Sequence, residues 1–404
     1  MPTTLSRVER TIILTAVATG FGQFGAVASL DDVAHHFGSP QLSTTIHGVV
    51  GLSGSTLGAG LATLRVATLL ALPLVAMADR RGRQYMLRRM ALLGLVVTAC
   101  ASLSPSYWFF VACFACARPL LTASNSVLQV IMVEISESRR RVFLLAWLAA
   151  GSGIGAGLSA VLHGLIRGPN SFRLLFALAL IPAMPVAPRL GEIPETKGER
   201  ASQRLGAIAR SSRGSLGIVA TVALTMGVIA GPANGFAFVY GEGILKISPH
   251  TVALVVGLSA FTGVVGLFVS RFFADRWGRR STVAVGVVAT ALTSTLAYSG
   301  GSGRFIAGYL LGVFAAGIFA PAASALVNEN FPRDQRATAA GWVVVAGVVG
   351  AVIGLGVFGA LADSFHGPQV TSSLRLAALW TFLPALPLML VLQRLPETMG
   401  QQLD

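Results

Sequence analysis

Four groups of residues in this 404-residue chain have types and spacing that could do chemistry. Arg65 and Arg118 each lie deep within a long apolar run, and no acidic residue sits at a similar depth. A guanidinium at the centre of a membrane helix costs about 2.5–3.5 kcal/mol on insertion scales. Its natural partner is an anion, because a guanidinium binds a carboxylate bidentately. Asp31 and His35, and Asp32 and His36, stand four apart, a helical spacing that suits a proton or metal site as well as a solvated loop. Cys113 and Cys116 have CxxC spacing, but with Cys100 they are the only cysteines, and they read as buried free thiols in apolar segments. The densest charge lies in Asp79-Arg80-Arg81-Gly82-Arg83 and its echo, Asp275-Arg276-Trp277-Gly278-Arg279-Arg280, 196 positions later.

The elements that carry these residues follow from composition. Hydrophobic residues make up 54% of the chain and charged residues 11%, far below the roughly 25% charged of a soluble protein. Twelve apolar stretches are long enough to cross a bilayer: roughly 11–30, 49–77, 87–104, 107–131, 142–166, 172–190, 214–240, 251–274, 282–299, 304–328, 338–362 and 374–394. They are too long and continuous for barrel strands, so the fold class is an all-α membrane protein. The first stretch lacks a small-residue cleavage site and reads as a span rather than a cleaved signal. The net charge of +14 comes from arginines in short loops without interleaved aromatics, which argues against nucleic acid as a partner.

Arginine placement sets the expected orientation. The connections after stretches 2, 4, 8 and 10 hold Arg80, Arg81, Arg83, Arg88 and Arg89, then Arg139, Arg140 and Arg141, then Arg276, Arg279 and Arg280, then Arg333 and Arg336. The alternate connections hold only Arg167, Arg173, Lys246, Arg304 and Arg375. The positive-inside rule then places both termini in the cytoplasm. The chain also repeats itself. Arg173, Pro182, Pro185 and Pro194-Glu195-Thr196 recur as Arg375, Pro384, Pro387 and Pro396-Glu397-Thr398 at an offset of 202, and Glu134 and Arg141 recur as Glu329 and Arg336 at an offset of 195. The expected organisation is a six-helix bundle over 1–190, a polar cytoplasmic linker over 191–213 and a second bundle over 214–404, related as a parallel repeat.

These motifs resemble the major facilitator superfamily over essentially the whole chain. The connection after stretch 2 is similar to that family's Asp-Arg-x-Gly-Arg signature, with Val75 and Arg271 standing where a glycine is expected. The Glu-to-Arg spacing, and Pro194-Glu195-Thr196-Lys197-Gly198, resemble those of sugar porters and organic-ion or metabolite–proton symporters. The resemblance implies that Asp79, Arg83, Glu134 and Arg141 form a cytoplasmic latch, with Asp275, Arg279, Glu329 and Arg336 as its counterpart. A carboxylate at a helix N-terminus is favoured by roughly 0.3–1 kcal/mol when exposed, so several such contacts can bias a two-state equilibrium.

By the same resemblance, a cavity lined by helices 1, 4, 7 and 10 would bring Gln23, Arg118, Asn125, Asn234 and Tyr309 to a substrate. Arg65 joins them through its charge. Polar stripes at helical spacing agree: Thr15, Thr19 and Gln23; Thr122, Asn125 and Gln129; Thr221, Thr225 and, past the breaker Gly231-Pro232, Asn234. Gln23 occupies the helix that in many relatives carries a carboxylate, and His163 reads as a local hydrogen-bonding group. Helices 5 and 11 are rich in glycine and lack the Gly-Pro signature of drug–proton antiporters. Gly-Ser-Gly at 151–153 lies inside an apolar helix and reads as packing, so no enzyme, cofactor or metal site is expected. The leading expectation is a monomeric, proton-coupled secondary transporter of a small organic anion or metabolite in the inner or plasma membrane. Efflux of drugs or toxic compounds by proton antiport is the alternative, and a non-transporting receptor the third reading.

Overall fold

The computed structural model describes residues 5–40, 45–137, 140–166, 168, 170–196, 212–332, 335–365 and 367–395. Arg139, Arg167, Lys197, Gly198, Arg333 and the Pro396-Glu397-Thr398 copy fall outside them, as does 197–211 of the linker. Among the described residues, twelve helices have the length and apolarity of membrane spans: α1 (Arg7–Ala28), α2 (Gly54–Arg81), α3 (Arg83–Leu103), α4 (Tyr107–Ile135), α5 (Phe143–Leu165), α6 (Ser171–Glu192), α7 (Arg213–Gly235), α8 (Pro249–Trp277), α9 (Arg279–Ala297), α10 (Ser302–Asn330), α11 (Thr338–Ser364) and α12 (Val370–Arg394). Their internally bonded backbones and apolar outer faces make this a multi-pass membrane protein.

Contacts divide the described residues into two compact units. Unit 1 draws on Met1–Phe37, Val66–Ser202 and Pro249–Ala253, and unit 2 on Gly38–Arg65, Gln203–Ser248 and Leu254–Asp404. In unit 1, α1 packs most extensively on α5, and α3 on α4. In unit 2, α7 packs most extensively on α11, and α9 on α10. The two halves thus use equivalent pairings. The α1–α5 and α7–α11 pairs depend on small residues. A Cβ on Gly155 would stand 2.0 Å from the Val17 carbonyl oxygen, and one on Gly350 would stand 2.1 Å from that of Leu224. Close backbone contact of this kind gives dispersion energy where lipid offers no hydrophobic drive.

Matching prolines occur in α6 and α12. In α6 the helix Ser171–Ala177 gives way at Leu178 to Leu180–Arg189. In α12 the α-helix Val370–Phe382 tightens into 3-10 turns over Leu383–Arg394, at the matching prolines Pro384 and Pro387. Proline removes a backbone donor, but the two spans respond differently: α6 is interrupted just ahead of Pro182 and is α-helical again through Pro185 and Pro188, whereas α12 stays α-helical to Phe382 and is 3-10 from there on. Elsewhere the structure differs from the sequence reading. Pro232 does not break α7, which runs through it to Gly235. Cys100, Cys113 and Cys116 are free, but Cys100 and Cys116 are exposed and Cys113 is half-buried, rather than all three being buried.

Candidate functional site

The Asp79 stretch is scarcely a loop. Asp79, Arg80 and Arg81 form the last turn of α2, Gly82 alone turns the chain at φ 108°, and Arg83 is the first residue of α3. This places Arg83 one helical turn beyond Asp79 and against α4. Its Nε donates to Asp79 Oδ1 at 2.7 Å, and its Nη1 donates to Glu134 Oε1. The Arg83 side chain is 10% exposed, so the two carboxylates neutralise a guanidinium that is largely withdrawn from water. Glu195 closes the arrangement. Its Oε1 accepts the backbone N–H of Arg83 at 2.6 Å and of Gln84 at 3.4 Å. A carboxylate from the Pro-Glu-Thr motif therefore caps the N-terminus of α3, where open N–H groups and the helix dipole favour negative charge. Nearby, Arg140 approaches Glu9 at 3.7 Å, and Arg7 meets Glu192 at 2.6 Å. Arg141, grouped with Glu134 by the resemblance, has a buried Nε without a hydrogen-bond partner among the described residues, while Glu134 takes Arg83.

Unit 2 builds the same triangle. Arg279 Nη1 donates to Asp275 Oδ1 at 2.9 Å, and its Nε donates to Glu329 Oε1 at 3.4 Å. Arg336 turns elsewhere, donating through Nε to the Phe331 carbonyl at 2.9 Å. Arg271 lies 3.8 Å from Asp275 with an 88% exposed side chain.

The polar groups within the spans fall into separate sets. In unit 1, the Thr19 hydroxyl donates to Asn125 Oδ1 at 2.6 Å, joining α1 to α4. One turn along α1, Gln23 Nε2 is buried without a partner among the described residues. Arg118 is half-buried on α4. In unit 2, Asn234 Nδ2 donates back to the Ala230 carbonyl at 2.9 Å, and the Tyr309 hydroxyl donates to Asn234 Oδ1 at 3.3 Å. Arg65, half-buried on α2, has neither an ion pair nor a hydrogen bond from its side chain among the described residues. The structure thus brings Asn125 beside Thr19 and Asn234 beside Tyr309.

Three acidic residues take roles that sequence reasoning did not assign. Glu195 caps α3. Asp363 near the end of α11 accepts the N–H groups of Gly54 and Ser55 at 2.7 and 2.8 Å, capping α2. Asp32 accepts the Ser171 hydroxyl at 2.5 Å and lies 3.5 Å from His163 Nδ1. The expected Asp31–His35 contact forms at 3.5 Å, whereas His36 turns to Arg173 at 3.4 Å. No group of three metal-ligating side chains occurs among the described residues. Outside the spans, Tyr240 accepts the Gly300 N–H at 3.0 Å, and burial pushes its hydroxyl up to about 12, so it stays neutral at physiological pH.

Known proteins share this architecture. A family model described as Major Facilitator Superfamily matches residues 12–244 and again 215–402. The cis,cis-muconate transport protein of Acinetobacter baylyi is 26% identical over 252 residues, a match spanning 58% of this chain and 60% of that relative. Among solved structures, a bacterial homolog of the human lysosomal transporter Spinster superposes with a TM-score of 0.76 at 13% identity, covering 96% of each chain. A D-xylose–proton symporter superposes with a TM-score of 0.74 at 16% identity, covering 98% of this chain and 99% of the symporter. At such identities the structural likeness speaks for the fold alone, but it agrees with the twelve spans, the duplicated charge triangles and the family match across both halves. This chain belongs to the Major Facilitator Superfamily.

Proposed function

We propose that this protein is a secondary active transporter that moves a small organic anion across the inner or plasma membrane by alternating access, with a proton as coupling ion and both termini in the cytoplasm. The single observation that carries the reading is Arg65, a guanidinium held inside a membrane span without a carboxylate partner among the described residues. Retaining an arginine there costs insertion energy, which an anionic ligand can offset. Arg118, Gln23 and Asn125 in unit 1, and Asn234 and Tyr309 in unit 2, supply further hydrogen-bonding groups suited to carboxylate and hydroxyl oxygens. The partial likeness to a transporter of cis,cis-muconate, a dicarboxylate, supports the same class of solute. The carboxylate–arginine triangles at Asp79 and Asp275 act in this reading as gating elements, made in one state and loosened in the other.

Uptake of labelled cis,cis-muconate into proteoliposomes tests the reading. Wild-type protein takes up the dianion saturably. Arg65→Gln and Arg118→Lys each lower kcat/KM by about tenfold or more, the latter because a lysine ammonium keeps the charge but loses the planar fork. Unaltered kinetics in both variants contradict the anion site.

A further inference from the structure

The end of unit 1 opposite the Asp79 triangle holds a buried titratable group that the charge triangles and the polar stripes do not use. His163, on the last turn of α5, is 3% exposed. Its Nδ1 lies 3.5 Å from Asp32 Oδ2, and the Ser171 hydroxyl donates to that same oxygen at 2.5 Å. Three elements meet here: α5 brings His163, the short helix Leu30–Phe37 after α1 brings Asp32, and the first residue of α6 brings Ser171. Asp32 keeps a third of its side chain in contact with solvent, while His163 has almost none. One turn deeper on α5, Ser159 has a fully buried hydroxyl without a hydrogen-bond partner among the described residues. A Cβ on Gly25 of α1 would stand 3.5 Å from its oxygen. Ser159 and His163 therefore lie on the stripe of α5 that packs against α1 and its extension.

Other charged and titratable groups occupy the elements packed around this end. Asp31 faces His35 at 3.5 Å. His36 faces Arg173, which also donates to the Ser102 and Ser104 carbonyls at 3.0 Å each. Tyr107 opens α4, and the backbone of His250 packs against Gly164, the residue after His163. Arg173 is tied to carbonyls and His36, Asp31 lies beside His35, and Asp32 lies beside His163. Imidazole is the side chain whose ordinary titration lies near physiological pH. The only acidic residue within α1 itself is Glu9, in its first turn at the other end.

We propose that His163 and Asp32 together form a proton-binding site, loaded from the water that reaches Asp32, and that this site supplies the proton linkage of transport. The imidazole takes up one proton from water and later returns it; no other bond forms or breaks. In the protonated form Nδ1–H points at Asp32 Oδ2, and an ion pair draws α5 towards the extension of α1. The proton site stands on its own geometry, while its coupling role rests on the transport reading.

Two measurements on the full chain separate these parts. Histidine-ring NMR on detergent-purified protein, with the His163 signal identified by its loss in His163→Gln, is followed against pH. The signal titrates between about pH 5 and 8, and Asp32→Asn moves its midpoint by about one unit. A His163 signal that does not titrate in that range, or that titrates identically in Asp32→Asn, overturns the proton site. In proteoliposomes, His163→Gln and Asp32→Asn keep exchange of cis,cis-muconate within about twofold of wild type but lose accumulation on an inward-acid pH gradient by about tenfold. Wild-type accumulation in both variants overturns the coupling role. Absence of exchange in wild type overturns the choice of solute, and the NMR titration then decides the proton site by itself.

Discussion

The charged ends of the two units solve one geometric problem with different chemistry. Both place a guanidinium between a carboxylate one turn back and a glutamate on the neighbouring span, Asp79–Arg83–Glu134 in unit 1 and Asp275–Arg279–Glu329 in unit 2. The surroundings differ. Arg83 is 10% exposed and Arg279 22%. Beside Arg83, the neutral amide of Gln84 donates to the Leu190 and Gly191 carbonyls at the end of α6. Beside Arg279, the charged Arg280 donates to the Gln393 and Leu395 carbonyls at the end of α12. Where unit 1 has Val75, unit 2 has the solvated Arg271. The acid–base–acid triangle and the tie to the last span are thus common to both copies, while the neighbouring charge is free to drift. Unit 1 holds the tighter version and unit 2 the wetter one.

Breaking the triangles measures that difference. Arg83→Gln leaves Asp79 and Glu134 facing each other in a partly buried site and lowers stability by about 3 kcal/mol, read as a lower denaturation midpoint in detergent. Arg279→Gln costs about half as much, near 1.5 kcal/mol, because water already shares that site. Equal losses would show that burial does not distinguish the two ends. Glu195→Gln keeps a hydrogen-bond acceptor at the N-terminus of α3 but removes its charge, for a loss of about 1 kcal/mol that shrinks as salt is added. A salt-independent loss would contradict the dipole account of this cap. Arg271→Val, which makes unit 2 resemble unit 1 at that position, changes stability by less than about 0.5 kcal/mol, since an exposed ion pair contributes little.

Much of the fold is written locally. Apolar runs gave each of the twelve spans to within a few residues, because lipid demands about 20 apolar residues per helix. The two largest errors, five residues each, are the start of α2 at Gly54 and the end of α7 at Gly235, and several others fall where charge begins. The sequence reading ended the second span at 77 and began the third at 87, whereas α2 runs to Arg81 and α3 starts at Arg83. Charged residues can occupy helix ends that reach the interface, and hydropathy does not count them. The triangles were half legible: Asp79 and Arg83 stand four apart, but the capping carboxylate Glu195 is 112 residues from Arg83, and no local pattern announces it. Asp32 meets Ser171 across 139 residues and Asp363 meets Gly54 across 309. Such contacts belong to packing, which a single sequence reveals only through repeats. Arg65 and Arg118 were legible through the cost of a buried charge; the Thr19–Asn125 and Tyr309–Asn234 hydrogen bonds needed the fold.

The most direct test of the central claim, that guanidinium groups inside the spans select an organic anion, is competition against labelled cis,cis-muconate in proteoliposomes of the wild-type protein. Small dicarboxylates suppress uptake in a dose-dependent way, and organic cations of similar size leave it unchanged. Transport of an organic cation, with dicarboxylates inert, would contradict the account.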